Sequence, residues 1–162
     1  MATVDYFLKI DGIEGESQDA KHKAEIEVDS FGWGQTQSGN ADTHGGSGIG
    51  KVVMHDIQFT MRANKSSPKI MLACASGNHI KNAILVCRKA GKEQQEFLKY
   101  TFSDILVSGF QSGGSIHSDI IPVDQFSLNF AKIECEYKEQ KADGTLTGTV
   151  KMGWDVKKHQ SI

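Results

Sequence analysis

The residues that could do chemistry begin with a glycine loop. In Phe31–Lys51, FGWGQTQSGNADTHGGSGIGK, seven of 21 residues are glycine. Gly45, Gly50 and Lys51 have phosphate-loop spacing: a glycine, four residues, then Gly-Lys. In a working phosphate loop, backbone N–H groups and a helix N-terminus meet the phosphates, and a Ser or Thr after the lysine holds magnesium. Here Val52 follows the lysine, the preceding SGNADTH is loop-forming, and Val52–Arg62 alternates as a strand. The stretch therefore reads as a long mobile loop between two strands. Loops beyond about a dozen residues in a compact domain are usually functional or disordered.

The other reactive residue types make no active site. The histidines are His22, His44, His55, His79, His117 and His159, and none pairs with another His or a Cys at metal-ligand spacing. Cys74…His79, with Cys87 further on, comes nearest, and reads as a buried thiol and an exposed histidine. His55 falls among apolar residues of a strand, which predicts a hydrogen-bonded core histidine able to sense pH. No serine has a GxSxG context and no cysteine a catalytic flank. Glu25, Glu27 and Asp29 share one parity of a strand, as a solvated face does. Cys74, Cys87 and Cys135 are odd in number and far apart, which fits small buried hydrophobes rather than a disulfide framework. No catalytic residue, metal or cofactor is expected.

The totals agree. A chain of 162 residues suggests one domain, 1–162, with a full core. A net charge of -2 gives no electrostatic case for nucleic acid or an anionic membrane. No apolar run approaches the roughly 20 residues of a membrane span. MATVDYFLKIDG has neither a basic n-region nor a long apolar h-region, so the protein is expected to start in the cytoplasm and to leave, if it does, without a cleaved signal.

The elements that must position these residues are mostly strands. Val4–Ile10 alternates, and Asp11–Lys23 is a polar connection. Ala24–Gln35 changes parity, which a period-2 element can do only through a bulge or bend, here expected near Asp29–Ser30. In Val52–Arg62, Val53, Ile57, Phe59 and Met61 share one parity. One short helix follows: Ser67 can cap, Pro68 suits the first turn, Gly77 stops it, and Ile70, Met71 and Cys74 form its stripe. Ile80–Arg88 is apolar on both parities, as a strand covered on both faces would be. Lys89–Lys92 reads as a hairpin turn. Phe97–Gln111 and Asp124–Tyr137 are long strands that each change phase, and Gln111–Ser115 is a glycine-containing turn. Gln140–Gly148 is a turn before the last strand, Val150–Lys157. The sum is mainly antiparallel β with one helix, and repeated bends predict a sheet curled toward a barrel.

The ordered pieces resemble a family. They run GWG, QSG, the glycine loop, KV, QFT, SSPKIMLACASGNH, RKAG, QSGG, FSLNFAKIECEYKEQKADG and GWDVKKH. This series, from Val4 to His159, resembles the hemolysin-coregulated (Hcp) proteins, tube subunits of the type VI secretion system. The resemblance implies a curled antiparallel β-barrel of two sheets with a flanking helix, similar to phage tail-tube proteins. It implies hexameric rings that stack into a tube, which a contractile sheath drives out behind a spike protein, carrying effectors. By the same resemblance, Gly39, Asn40, Asp42, Thr43, His44, Gly45, Gly46, Ser47 and Gly48 would reach the next ring, and Gly32, Gly113, Gly114 and Ser115 would face the lumen. It further implies export without a signal peptide. The rivals are an enzyme, which would need an added C-terminal domain, and a monomeric β-barrel binding a small ligand.

Overall fold

The structure is a computed structural model and describes residues 4–39, 49–90, 94–117 and 121–162. In chain order the strands are β1 (Val4–Ile10), β2 (Ile26–Glu27), β3 (Ser30–Gly32), β4 (Gln35–Gly39), β5 (Ile49–Met54) and β6 (Ile57–Arg62). Helix α1 (Ser67–Ser76) precedes β7 (Ile80–Lys89), β8 (Gln95–Gly113), β9 (Val123–Gln140), β10 (Leu146–Asp155) and β11 (Gln160–Ser161). Nine strands form one antiparallel sheet ordered β11-β10-β9-β8-β7-β1-β2, with β6 also pairing β9 and β3 pairing β6. β4 and β5 form a separate two-stranded ribbon.

The two long strands let one sheet make two layers. The phase change of β8 at Ser103–Asp104 lies opposite that of β9, because Ser103 pairs with Lys132 and Ile105 with Phe130. Asp104 takes φ +50°, a left-handed conformation uncommon for a non-glycine residue. Two irregularities in the sequence are thus one fold line crossing two strands. On one side of it β9 pairs β6, and on the other β10.

The bend expected near Asp29–Ser30 is a corner that breaks Ala24–Gln35 into β2, β3 and β4. Val28 N–H donates to Tyr6 O at 3.1 Å, and Asp29 N–H donates to Thr60 O at 2.8 Å. At that step the chain leaves β1 and joins β6. The sheet curls but is not closed by hydrogen bonds there. Its interior is filled by Phe59, Phe102, Phe126, Leu8, Ile26, Ile57, Met61, Leu85, Ile105, Leu128 and Ile133, all below 2 % exposed. Each such side chain contributes about 1.5–3 kcal/mol relative to its exposed state. Phe59 and Phe126 are register partners and stack at 5.2 Å.

Several local expectations change. Val52–Arg62 is not one strand; it splits at His55–Asp56, where His55 N–H donates to Gly34 O at 3.0 Å. His55 is exposed rather than a core histidine, and Val53 is exposed, because β5 pairs only with β4. The flanks of the glycine loop are ribbon strands, and Gly39 pairs with Ile49. In α1 the N-cap is Ser66, while Ser67 Oγ donates to Asp124 at 2.5 Å. Gly77 ends the helix at φ +67° as expected. The helix buries Ile70 and Ala73 and leaves Met71 exposed, so its contact face is narrower than the expected stripe. β8 continues to Gly113, which moves the second glycine turn past it. The polar connection after β1 is a strap with Ser17 and His22 buried. It roofs Phe7 and Arg88, which is why β7 is apolar on both parities.

Candidate functional site

The β3-β6-β9-β8 part of the sheet has a core face and an outward face, and register assigns every residue to one of them. Gly32 pairs with Gln58, Gln58 with Ser127, and Ser127 with Gly109. The next row is Ser30, Thr60, Gln125 and Gln111, and Arg62, Val123 and Gly113 follow. Directly opposed residues, and residues two apart, share a face. All of these therefore turn away from Phe59 and Phe126. Arg62 is the one charged side chain among them. Ser30 and Thr60 hydroxyls are bonded to each other, and Ser108 Oγ and Ser127 Oγ lie 2.8 Å apart. A shallow depression of about 250 Å³ is lined by Gln58, Gly109, Gln111, Gln125 and Ser127.

The glycines on this face differ in why they are small. A Cβ on Gly109, at the β8 bulge, would lie 2.9 Å from Ser127 Oγ. Gly32 and Gly113 have ordinary φ, and nothing lies within 4 Å of a Cβ built on either. The fold of one chain gives no reason for glycine there. Of the four residues expected at a lumen, Gly32 and Gly113 thus share this face. Gly114, whose Cβ would meet Pro122 at 3.3 Å, and Ser115 lie in the loop beyond it. Of the expected stacking residues, Gly39 ends β4. Asn40, Asp42, Thr43, His44, Gly45, Gly46, Ser47 and Gly48 lie outside the described residues.

The remaining polar chemistry is structural. Burial pushes the Cys87 thiol up to about 12 and raises that of Cys135, so neither is a ready nucleophile. Among the described residues, no three His, Cys, Asp or Glu side chains are grouped to hold a metal. Arg88 donates to Asp19 at 3.0 and 2.8 Å and to Asp5 at 3.3 Å. These hydrogen bonds, Arg88 first, hold the Asp19 carboxyl well below the usual range. Sequence reasoning missed this cluster and His22, which sits between Glu25 and Glu96. No local spacing pointed to it, since its members come from four parts of the chain.

A family model for the type VI secretion system effector Hcp matches residues 7–137. The chain belongs to the Hcp family. Among Hcp proteins, Protein hcp1 of Pseudomonas aeruginosa is 44% identical over 158 residues, covering 96% of this chain and 97% of that protein. Hcp1 from Salmonella typhimurium, a solved structure, is 38% identical with TM-score 0.80, over 99% of this chain and 100% of that one. A solved type six secretion system protein is 27% identical with TM-score 0.90, over 98% and 99% of the two chains. The curled antiparallel β architecture with one short helix is therefore the Hcp fold, and the outward face just described is a face of an Hcp protein.

Proposed function

We propose that this chain, as a single domain over 1–162, is a structural subunit of the type VI secretion tube. It forms hexameric rings that stack and carry effectors, and the outward face of β3-β6-β9-β8 lines the lumen. The observation that carries the reading is that face: small and nearly uncharged, with glycines that its own fold does not need. A channel for varied cargo requires a wall that grips nothing strongly.

Edge geometry supports closure into a ring. Among the described residues β3 pairs only with β6, and β8 beyond Ile105 pairs only with β9. The four-stranded face thus has two different free edges, which is what a heterologous, ring-closing contact needs. Six copies of four strands at ~4.8 Å give a circumference of about 115 Å and a backbone diameter of about 37 Å, more with strand tilt. A folded domain of about 100 residues has a radius of gyration of ~13 Å, hence a diameter of about 34 Å, so a channel of this size passes a small domain only with short lining side chains or added strand tilt. Exposed apolar side chains offer further subunit contacts: Met71 and Leu72 on α1, and Tyr137, Val150 and Met152 on β9–β10. The ribbon β4–β5 presents the Gly39–Gly48 segment to the next ring. The spike and sheath proteins are the remaining partners, and the released subunit is found outside the cell without signal cleavage.

Light scattering on a size-exclusion column, with negative-stain images of the main peak, tests this. A six-subunit mass and doughnut-shaped particles are expected. A stable monomer at all concentrations would overturn the assembly and favour the ligand-binding barrel.

A further inference from the structure

We infer that the strap Asp11–Glu25 is a proton-operated clasp: His22 with both ring nitrogens protonated ties the strap's Glu25 to Glu96 of β8, and loss of one proton loosens the strap. The inference concerns a single chain and holds whether or not the proposed ring forms.

His22 Nε2 lies 2.7 Å from Glu96 Oε1, and Nδ1 is in close contact with Glu25 Oε2. An ionised carboxylate only accepts, and an imidazole with one N–H donates only once. Both contacts are hydrogen bonds only when both nitrogens carry protons. With one proton gone, a lone pair faces a carboxylate. His22 is 6 % exposed, so water cannot freely take the missing role.

The groups around it are mostly acidic. Register places Asp5 of β1, Arg88 of β7 and Glu96 of β8 in one cross-strand row. The strap adds Asp19, Glu25 and His22 above that row. Four carboxylates (Asp5, Asp19, Glu25, Glu96) thus meet one permanent cation, a sum of -3 with neutral His22 and -2 with imidazolium; Glu27 of β2 and Lys99 of β8, in the next row of the same face with Phe7 and Val86, are opposite charges that cancel in the sum. Arg88 is committed to Asp19 and Asp5. His22 is therefore the basic side chain in contact with the other two. Lys21 and Lys23 flank it in sequence but are exposed. The Phe7 ring accommodates both cations, with Arg88 Cζ 4.7 Å from its centroid and the His22 ring stacked at 4.3 Å.

The strap's backbone is under tension where His22 sits. Ala24 has φ +62°, a left-handed conformation disfavoured by its Cβ. Backbone bonds within the strap close this crossing on itself, and side-chain bonds from His22 and Asp19 tie it to the sheet. The clasp is whole while both ring nitrogens carry protons and the carboxylates are ionised, so it weakens as rising pH removes a proton. Opening would bare Phe7 and Arg88 on the outer surface of the subunit.

Hydrogen exchange on the full chain, normalised to intrinsic rates at pH 6 and pH 9, tests this at the amides of Gly15, Ser17, Ala24 and Glu25, which donate the strap's backbone bonds. Their protection is expected to fall about tenfold between the two values while that of β9 stays level, as local opening allows. Glu96→Gln, at a partly exposed position, should flatten the dependence, as should His22→Gln. Equal strap protection at both pH values in the unaltered protein would overturn the clasp. So would a fall that persists undiminished in Glu96→Gln.

Discussion

Two outward faces of the same curled sheet have opposite fates. The face of β3-β6-β9-β8 is bare, and its residues are small or uncharged, apart from Arg62. The face of β1-β7-β8 is roofed by the strap; beneath the roof lie an aromatic ring and a buried arginine, and carboxylates reach them from both the strap and the sheet. Both have the parity opposite to the core. A face covered by its own chain can hold large and charged groups, because their partners arrive with the fold. A face left bare must hold groups that need no partner.

Substitutions can break this comparison, and the strap should give the largest effects. A Cβ on Gly15 would lie 2.5 Å from the Glu25 carbonyl oxygen, so Gly15→Ala should cost about 2–3 kcal/mol by overpacking in urea unfolding. Arg88→Met leaves Asp19 and Asp5 unpaired. Because both carboxylates reach solvent, a loss of about 2 kcal/mol, below the fully buried range, is expected in the same assay. For Asp19 the prediction is a pH window. Its folded carboxyl titrates below its ordinary value of 3.8, so its contribution is full above about that value and is lost as pH falls. The melting temperature of Asp19→Asn should therefore lie below that of the unaltered protein at pH 7, with the gap closing below pH ~4. The bare face should give the smallest effect. Gly32→Arg points into open space and should change stability by no more than ~0.5 kcal/mol, yet reduce effector export in a secretion assay. Reduced stability with normal export would reverse the assignment of the two faces.

The sequence carried the strands and their bends, and lost the break at His55–Asp56. Alternation located β1, β6 and β9, and phase changes located the bends of β8 and β9, because burial on one face imposes a period of two. Alternation could not show that His55 marks a break, since a break and a strand of mixed parity look alike over two residues. Gly32 and Gly113 came from resemblance; their shared face became visible only through the register of four strands. The His22–Glu25–Glu96 clasp was illegible for the same reason. Glu96 is 74 residues from His22, and only tertiary pairing brings them together.

The proposed ring requires the β3-β6-β9-β8 face to surround its axis. Electron cryomicroscopy of the assembled particle measures that directly. The row Gly32, Gln58, Ser127 and Gly109 should border the central channel, with α1 and the strap away from it. A particle whose channel is bordered by α1 or the strap, or in which that row is buried between subunits, would contradict the account.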